Sequence, residues 1–417
     1  METRRIKDQT EIAVIGAGVV GLTIALQLAS DGHEVALIDP APPGSGASYG
    51  NAGTIANYAV QPVGTPDVLR NLPSLLFDRT SPLSIRRAAL PTLTPWLLRF
   101  ARQCLPDAAR RNAHAIAGLM SGALPGWEAL AAQVGGEALM QRRGCLYLYE
   151  AKAGFRAAQA DLALRRSLGI RVELLAPAEL AAMEPLLPEM VGGAAFFPGA
   201  VFLSDPGAML GLIAKAVAAA GVPLIAAQAT GLVRDAGGVI VTGPGLRLRA
   251  RQVVIAAGAH SRALALAAGD KVPLDTERGY HAEWDMAQPR LSRPACPTAR
   301  GFYLCPMTGR LRVAGTVEMG GLTAPPSSHR VAKLVEGARA IFPDLGPPDR
   351  EWMGFRPSMP DSLPVIGPSR AGAEVIHAYG HGHVGLTLAP VTARLVGDLV
   401  AGRDPGGLLP PCLPTRF

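Results

Sequence analysis

The chain has 417 residues, 49% of them hydrophobic and 18% charged, which is typical of a folded globular protein with room for two domains. The formal net charge is +7, but no run of five or six like charges occurs, so the composition argues against a nucleic-acid-binding tail. This charge is compatible with a modest attraction to anionic substrates or to a membrane surface.

The cysteines argue against a disulfide framework. They are odd in number, widely spaced and never arranged as CxxC, at positions Cys104, Cys145, Cys296, Cys305 and Cys412. This pattern predicts a reducing compartment, which we take to be the cytoplasm.

The first predicted elements lie in residues 12–39. Residues 12–29 carry no charge and follow a basic start, so their length alone would suit a membrane span or a signal peptide. Their glycines and their strand-then-helix pattern favour another interpretation. Ile12–Ile15 resembles a strand buried on both faces, Leu22–Ser30 has helical spacing, and Glu34–Ile38 is a second buried strand.

The turn between the first strand and the helix has the pattern GxGxxG. Gly16 permits a sharp turn, Gly18 lets the backbone approach a pyrophosphate, and Gly21 lets the helix pack close to the strand. The helix N-terminus offers N–H groups to phosphates, and Asp39 can accept hydrogen bonds from a ribose. The stretch predicts a dinucleotide site. The alternative is a βαβ unit with incidental glycines, and neither interpretation separates NAD from FAD.

A second glycine-rich loop, "PAPPGSGASYGNAG" at residues 40–53, follows directly. It favours FAD, whose ribityl chain and ring system extend past the pyrophosphate. The alternative is a mobile surface loop. Further on, Val253–Ala257 is a buried-type strand that ends in small residues, where open α/β sheets place their ligands.

Four other segments have recognisable patterns. Residues 95–106, "PWLLRFARQCLP", predict an amphipathic helix that either rests on a membrane near a quinone or packs on the core. A helix that begins near Pro206 is followed by a strand. Residues 302–305 and 311–317 form a predicted hairpin closed by Thr308–Gly309. Residues 389–402 predict a helix with Pro390 in its first turn.

The loop "GHGHVGLT", residues 380–387, has two interpretations. His381 and His383 could bind a metal, but residues one apart in an extended chain point to opposite sides, and no cysteine or acidic cluster completes a shell. We therefore predict no metal site. The loop leads into a helix N-terminus, whose partial positive charge would stabilise a reduced flavin, and its glycines would let backbone approach the ring.

The chain resembles the D-amino acid oxidase/dehydrogenase family of FAD-dependent amine oxidoreductases, which includes glycine oxidase and sarcosine oxidase. Four stretches carry the resemblance in order: GAGVVG with Asp39, GSGASYGNAG, VVIAAGAHS, and the pair GFRPSMPDSLPVIG and YGHGHVGLT. The NAG sequence followed by a proline- and leucine-rich stretch is most similar to the bacterial D-amino acid dehydrogenase branch. One departure is Asp39, where the family usually has glutamate.

The resemblance implies an α/β fold in which a Rossmann-like FAD-binding domain with a parallel sheet is interleaved with a substrate domain built on an antiparallel sheet plus helices. We assign residues 1–87, 201–262 and 354–417 to the FAD-binding domain and residues 88–200 and 263–353 to the substrate domain.

The implied activity is FAD-dependent oxidation of a D-amino acid to an imine, which hydrolyses to a 2-oxo acid and ammonia. No lysine lies in the strands 302–305 and 311–317, which favours a quinone or other respiratory acceptor over oxygen. The alternative is an oxidase or dehydrogenase of secondary amino acids such as sarcosine, proline or hydroxyproline. Other classes left open are an NAD(P)-dependent dehydrogenase and a non-catalytic flavin- or metal-binding protein.

The resemblance also implies the site residues. Arg356 would bind the substrate carboxylate, Tyr303 would lie over the substrate, and His383 would lie near the flavin edge. Each could instead be structural, and Tyr280 is a weaker candidate. We expect a small amino-acid substrate, no nucleic acid, and a peripheral contact with the inner face of the membrane as an option. The predicted cofactor contacts are Gly16, Ala17, Gly18, Val19, Val20, Asp39, Pro40, Ser45, Ala47, Ser48, Asn51, Ala52, Gly53, Thr54, Ala257, Gly258, Gly354, Arg356, Gly382, His383, Val384, Gly385, Leu386 and Thr387.

Overall fold

The computed structural model describes residues 8–71 and 83–417. Its strands in chain order are β1 (Gln9–Ile15), β2 (Val35–Ile38), β3 (Thr54–Ile55), β4 (Leu83–Ile85), β5 (Met140–Gln141), β6 (Cys145–Leu148), β7 (Glu173–Leu175), β8 (Ala194–Phe197), β9 (Val201–Leu203), β10 (Leu224–Ile225), β11 (Gly231–Asp235), β12 (Gly238–Gly243), β13 (Leu246–Ile255), β14 (Asp275–Asp285), β15 (Ala295–Pro297), β16 (Phe302–Met307), β17 (Arg310–Met319), β18 (Arg350–Ser358), β19 (Val365–Ser369) and β20 (Gly372–Tyr379).

The helices are α1 (Val19–Ser30), α2 (Pro66–Arg70), α3 (Leu90–Gln103), α4 (Pro106–Ser121), α5 (Ala123–Val134), α6 (Lys152–Ala157), α7 (Gln159–Ser167), α8 (Pro177–Met183), α9 (Pro206–Ala219), α10 (Ser261–Ala267), α11 (Ser328–Ile341) and α12 (Gly385–Val400).

The first sheet has the order β10-β2-β1-β13-β12-β11, and β20 also pairs with β13. The pairings among β10, β2, β1, β13 and β20 are parallel. Side chains of β1 alternate between two cores: Ile12 and Val14 face helices α1 and α12, whereas Ala13 and Ile15 face the opposite core. Burial on both faces explains why the predicted strands are continuously apolar.

The second sheet has the order β18-β14-β17-β16-β15-β6-β8-β7 and is mostly antiparallel. Helix α11 packs against it through a core that contains Leu334, Ala338 and Ile341. A small third sheet joins β3, β9 and β5. The predicted α/β fold, with one parallel and one antiparallel sheet, is confirmed.

The hairpin and the helix beginning at Pro206 form as predicted. Strands β16 and β17 pair antiparallel around Gly309, which has φ +71°. Helix α9 begins at Pro206, and Asp205 caps it by accepting a hydrogen bond from the Ala208 N–H at 3.0 Å.

The prediction for the last helix was wrong in its start. Helix α12 begins at Gly385, so Pro390 lies in its second turn. A proline there deprives the Leu386 carbonyl of its usual N–H partner, and the Trp127 indole N–H donates to that carbonyl at 2.8 Å instead. Gly126 makes room for the proline ring, since a Cβ there would lie 2.8 Å from the Pro390 Cβ.

The uncharged stretch 12–29 forms β1, a turn and the 12-residue helix α1; the basic start at residues 1–7 lies outside the described residues. Within residues 8–71 and 83–417, no helix combines the length and apolar content needed to cross a bilayer. Helix α3 buries Leu93 and Trp96 against the second sheet and exposes Leu90 and Leu98. Its contact with a membrane stays a prediction.

The assigned domain limits also stay a prediction, and residues 1–7 and 72–82 of that assignment lie outside the described part of the chain. One limit, at residue 354, falls inside β18, which pairs with β14 from Arg350 to Ser358. The chain therefore leaves the second sheet after residue 358.

Candidate active site

The N-terminal glycines form a tight turn at the carboxyl end of β1. Gly16 has φ +110°, and a Cβ on it would lie 2.4 Å from the Ala256 carbonyl oxygen. A Cβ on Gly21 would lie 1.8 Å from the Gly16 carbonyl oxygen. The N-cap residue of helix α1 is Gly18, which has no side chain to cap the helix, so N–H groups of the first turn can serve phosphate oxygens. These are the tasks that the sequence pattern predicts for a dinucleotide turn.

Asp39 follows β2 at the same edge of the sheet. Its carboxylate accepts hydrogen bonds from the Ala17 N–H at 2.7 Å and from the Ala41 N–H at 2.8 Å. A carboxylate has about four acceptor positions, so Asp39 keeps capacity for a ribose hydroxyl. Ser48 of the second glycine-rich loop accepts from the Val19 N–H at 2.8 Å, which joins the two glycine-rich segments.

The second sheet holds the second glycine-rich loop in place. The buried Arg312 of β17 donates to the Tyr49 and Asn51 carbonyls, both at 2.8 Å, and to Glu283 at 2.7 Å. Burial alone would raise the pKa of Glu283, but the charge of Arg312 and the hydrogen bond from Arg350 outweigh it and lower that pKa to about 2. The loop is therefore tied to a buried ion pair, which contradicts the alternative of a mobile surface loop.

A cavity of about 1460 Å³ runs from this loop to the face of the second sheet. Sites for drug-sized ligands occupy about 300–1,000 Å³, so the cavity has room for an extended dinucleotide and a substrate. The predicted residues in its wall are Gly16, Ala17, Gly18, Val19, Val20, Asp39, Pro40, Ser45, Ala47, Ser48, Asn51, Ala52, Gly53, Thr54, Ala257, Gly258, Tyr303, Gly354, Arg356, Gly382, His383, Val384, Gly385 and Leu386. Their individual roles remain predictions.

Thr387 is the predicted contact that lies outside the wall. It is buried, and its hydroxyl accepts a hydrogen bond from the Ala56 N–H at 2.9 Å. It joins the start of helix α12 to the chain that follows the second loop, and its contact with the cofactor stays a prediction.

The two histidines of residues 380–387 have separate partners. His381 is buried and its Nε2 lies 2.8 Å from the Thr392 hydroxyl oxygen, and burial lowers its pKa to about 4. His383 Nε2 lies 2.5 Å from Glu277 Oε2. The described residues contain no group of three His, Cys, Asp or Glu side chains arranged to hold a metal ion.

Arg356 lies in the cavity wall, and its guanidinium packs over Gly279 of β14. A Cβ on Gly279 would lie 2.3 Å from the Arg356 Cζ, so the glycine provides the space for the guanidinium. A bulge in β17 places Thr316 at φ +55°, and the Thr316 carbonyl accepts from Arg356 Nη1 at 3.1 Å. Burial lowers the pKa of Arg356, and the charge of Glu277 opposes this; an arginine remains charged in either case.

Hydroxyl groups form another part of the wall. Tyr303 donates to the Tyr147 hydroxyl oxygen at 3.1 Å, and Tyr58 lies 3.5 Å from the Tyr303 hydroxyl. Burial raises the pKa of both Tyr58 and Tyr303, so they stay protonated. Tyr280, the weaker candidate, is buried behind the sheet and donates to Glu318 at 2.6 Å.

Four residues of the site were not predicted from the sequence: Glu277, Gly279, Tyr58 and Trp352. Trp352 lies in the cavity wall between Gly50 and Gly354, since a Cβ on either glycine would lie 2.0 Å from its ring. The glycine of the GFRP stretch therefore also has a packing role. None of these residues belongs to a local motif. The one available signal was a glycine without another explanation: Gly50 leaves space for the Trp352 ring, and Gly279 leaves space for the Arg356 guanidinium.

Residues 11–399 match the family model described as DAO, FAD dependent oxidoreductase. The chain belongs to this family. Its cofactor is FAD, and the glycine turn, the uncapped α1 N-terminus, Asp39 and the long cavity all suit that group. The predicted flavoprotein class is confirmed.

Curated members of the family cover nearly the whole chain. A D-amino-acid oxidase of Bradyrhizobium diazoefficiens is 36% identical, with 97% of this chain and 98% of the relative covered. A D-amino acid dehydrogenase 2 of Ralstonia nicotianae is 31% identical, with 95% and 97% covered. The structure of glycine oxidase from Geobacillus kaustophilus superposes with a TM-score of 0.77 at 26% identity and covers 98% of this chain and 99% of that one.

Proposed function

We propose that this flavoenzyme oxidises the C–N bond of a D-amino acid to an imine, which water converts to a 2-oxo acid and ammonia. The observation that carries the proposal is Arg356, a charged guanidinium in the wall of the FAD cavity. The Thr316 carbonyl accepts one of its hydrogen bonds, and Glu277, which lies opposite it in the strand register, is paired with His383. A planar guanidinium with free donors suits an α-carboxylate.

The amino-acid and D assignments draw support from the names of the two curated relatives, a D-amino-acid oxidase and a D-amino acid dehydrogenase. The substrate side chain would meet a mixed wall of Tyr58, Tyr303, Val317 and Leu322. FAD, when bound, supplies the acceptor for two electrons and the α-hydrogen. Arg356 fixes the carboxylate, and the hydroxyls of Tyr58 and Tyr303, which stay protonated, add neutral polar groups to the wall.

The proposal includes a quinone or another respiratory acceptor rather than oxygen. Its support is the absence of lysine from strands β16 and β17, which form the substrate side of the wall. One of the two curated relatives is named an oxidase and the other a dehydrogenase, so their names do not agree on the electron acceptor. The acceptor therefore has to be measured separately from the substrate.

An anaerobic screen tests the proposal directly. Purified holoenzyme would be mixed with D-amino acids, their L-enantiomers, and sarcosine, proline and hydroxyproline, and flavin bleaching followed. We expect D-amino acids to reduce the flavin fastest. Reduction only by secondary amino acids would transfer the assignment to the alternative. The reduced enzyme is then exposed to oxygen or a soluble quinone; rapid peroxide formation would contradict the proposed acceptor.

The variant Arg356→Lys tests the carboxylate role. Lysine keeps the charge but loses the bidentate geometry, so we expect KM to rise on the order of 100-fold, as for a weakened buried charge pair, with flavin retained. Arg350→Lys is the matched control, because Arg350 lies on the same strand outside the cavity wall. An unchanged KM in Arg356→Lys and in Arg356→Ala would remove Arg356 from the role.

A further inference from the structure

The His383 ring is held at one of its two nitrogens, and its side chain lines the cavity. Its Nε2 lies 2.5 Å from Glu277 Oε2, and the His383 side chain is 39% exposed to the cavity whereas that of Glu277 is 6% exposed. An ionised carboxylate only accepts hydrogen bonds. Nε2 is therefore the donor, and Nδ1 is the ring nitrogen left for a ligand in the cavity.

Charges around the pair keep Glu277 ionised. Burial alone would raise its pKa, but the charge and hydrogen bond of His383 and the charge of Arg356 outweigh burial and lower it. Glu277 on β14 lies directly opposite Arg356 on β18 in the strand register. Another titratable group near His383 is His381 of the same loop, which is neutral because burial lowers its pKa to about 4.

The cavity wall contains further titratable groups, among them Tyr58, Tyr303, Asp39, Asp275, His260 and Lys271. The hydroxyls of Tyr58 and Tyr303 stay protonated, because burial raises the pKa of each. Asp39 accepts two backbone N–H groups at the dinucleotide end. Asp275 also lies in the wall, and burial raises its pKa despite the opposing backbone hydrogen bond from Thr276 and the charge of Arg262.

We propose that His383 Nδ1 accepts the proton that the substrate ammonium group loses before oxidation, with Glu277 as the positioning residue that orients the ring and stabilises the imidazolium. An amino acid at neutral pH carries an ammonium group, and its nitrogen lone pair has to be free to form the C=N bond. One N–H bond of the ammonium breaks, one Nδ1–H bond forms, and no electron leaves the substrate in this step. The inference rests on the proposed function, because it assumes an amino-acid substrate.

Binding of two matched ligands tests the amine site without turnover. 2-Aminoisobutyrate has no α-hydrogen and cannot be oxidised, and isobutyrate lacks its amine; both affinities would be measured from flavin spectral shifts of the holoenzyme. We expect His383→Ala to weaken 2-aminoisobutyrate about tenfold, as for a lost hydrogen bond to a charged group, and isobutyrate less than about twofold. Arg356→Lys should weaken both ligands, and Asp275→Asn should leave their ratio within about twofold.

The pH dependence of anaerobic flavin reduction tests the proton transfer. At pH 7 and saturating substrate, we expect His383→Ala to slow reduction on the order of 100-fold, as for loss of a general base. Its rate should then rise about tenfold per pH unit as substrate arrives already neutral, and added imidazole should restore part of it. Glu277→Gln should slow reduction about tenfold with little change in isobutyrate affinity. The ratio of flavin to protein absorbance checks cofactor retention in every variant.

The outcomes separate the two proposals. Equal weakening of both ligands in His383→Ala, or a pH profile parallel to that of the wild type, overturns the role of His383. A Glu277→Gln variant that matches the wild type in both assays overturns the positioning role. If no amino acid reduces the wild-type flavin while the selective loss of 2-aminoisobutyrate persists, the proposed oxidation fails and the amine site stands.

Discussion

Gly279 determines where the Arg356 guanidinium can lie. The residue has no side chain, and the Arg356 Cζ would lie 2.3 Å from a Cβ built on it. The neighbouring bulge turns the Thr316 carbonyl toward the same guanidinium, with Thr316 at φ +55°, a region that few non-glycine residues adopt. The position of the guanidinium therefore depends on two other residues of the second sheet, Gly279 and Thr316.

We expect Gly279→Ala to raise KM about tenfold, because the added methyl group displaces a guanidinium that would bind bidentately. Steady-state kinetics with the best substrate of the screen would measure it. Gly211→Ala is the control, since a Cβ at position 211 meets nothing within 4 Å. Equal KM values in the two variants would contradict the packing argument.

The residues that sequence reasoning located and those that it missed differ in how far their partners lie along the chain. Gly16, Gly18 and Asp39 act within one βαβ unit, so their spacing carries the information. Glu277 and His383 are 106 residues apart in sequence, and no local period records that they meet. Arg356 was found through a family motif, but its glycine support was not.

At the scale of elements, strand β17 connects the two halves of the molecule. Its Arg312 donates to two carbonyls of the second glycine-rich loop and to Glu283. The second glycine-rich loop is thus held in place by a strand of the second sheet. Sequence patterns predicted the hairpin that contains β17 but gave no indication of this contact. Neither the composition nor the hydrophobic periodicity of a sequence distinguishes a buried arginine from an exposed one.

We expect Arg312→Lys to retain FAD more weakly, with a dissociation constant raised about tenfold or more, because lysine cannot reach two carbonyls and Glu283 in one fixed geometry. Recovery of free-flavin fluorescence on dilution would measure the loss. Arg310→Lys is the control, since Arg310 shares Glu283 but donates to Asp205 instead of the loop. Equal FAD retention by both variants and the wild type would refute the connection.

Helix α12 shows why an element boundary failed. The proline pattern placed Pro390 in the first turn, where its missing N–H costs nothing. The helix begins four residues earlier than predicted, at Gly385, and Trp127 supplies a donor to the Leu386 carbonyl. The element type was predictable from its apolar spacing, but its start depends on a side chain 259 residues away.

At the scale of the whole molecule, buried neutral histidines link stability to pH. Burial, together with the charge of Arg312, lowers the pKa of His281 to about 4, and burial lowers that of His381 to about 4. Unfolded histidine has a pKa near 6.5. Between about pH 6.5 and 4 the unfolded chain therefore binds more protons than the folded chain, so the free energy of unfolding decreases as pH falls.

We expect urea midpoints of the holoenzyme to decrease from pH 7 to pH 4.5, with each histidine contributing at most about 1.4 kcal/mol per pH unit. His381→Asn should show a shallower dependence than the wild type over this window. The carboxyl groups with lowered pKa values, such as Glu283 at about 2, lose their contribution mainly below this window. A His381→Asn variant with an unchanged pH dependence would contradict the assignment.

The packing of the Trp352 indole also restricts which residues homologous proteins can carry at three positions. The ring lies between Gly50 and Gly354, and a methyl group on either glycine would collide with it. Substitutions at these three positions are therefore not independent of one another during evolution. Among homologous chains, a larger residue at position 50 or 354 should coincide with loss of the indole at position 352. These three alignment columns should therefore covary, although they span nearly three quarters of the chain.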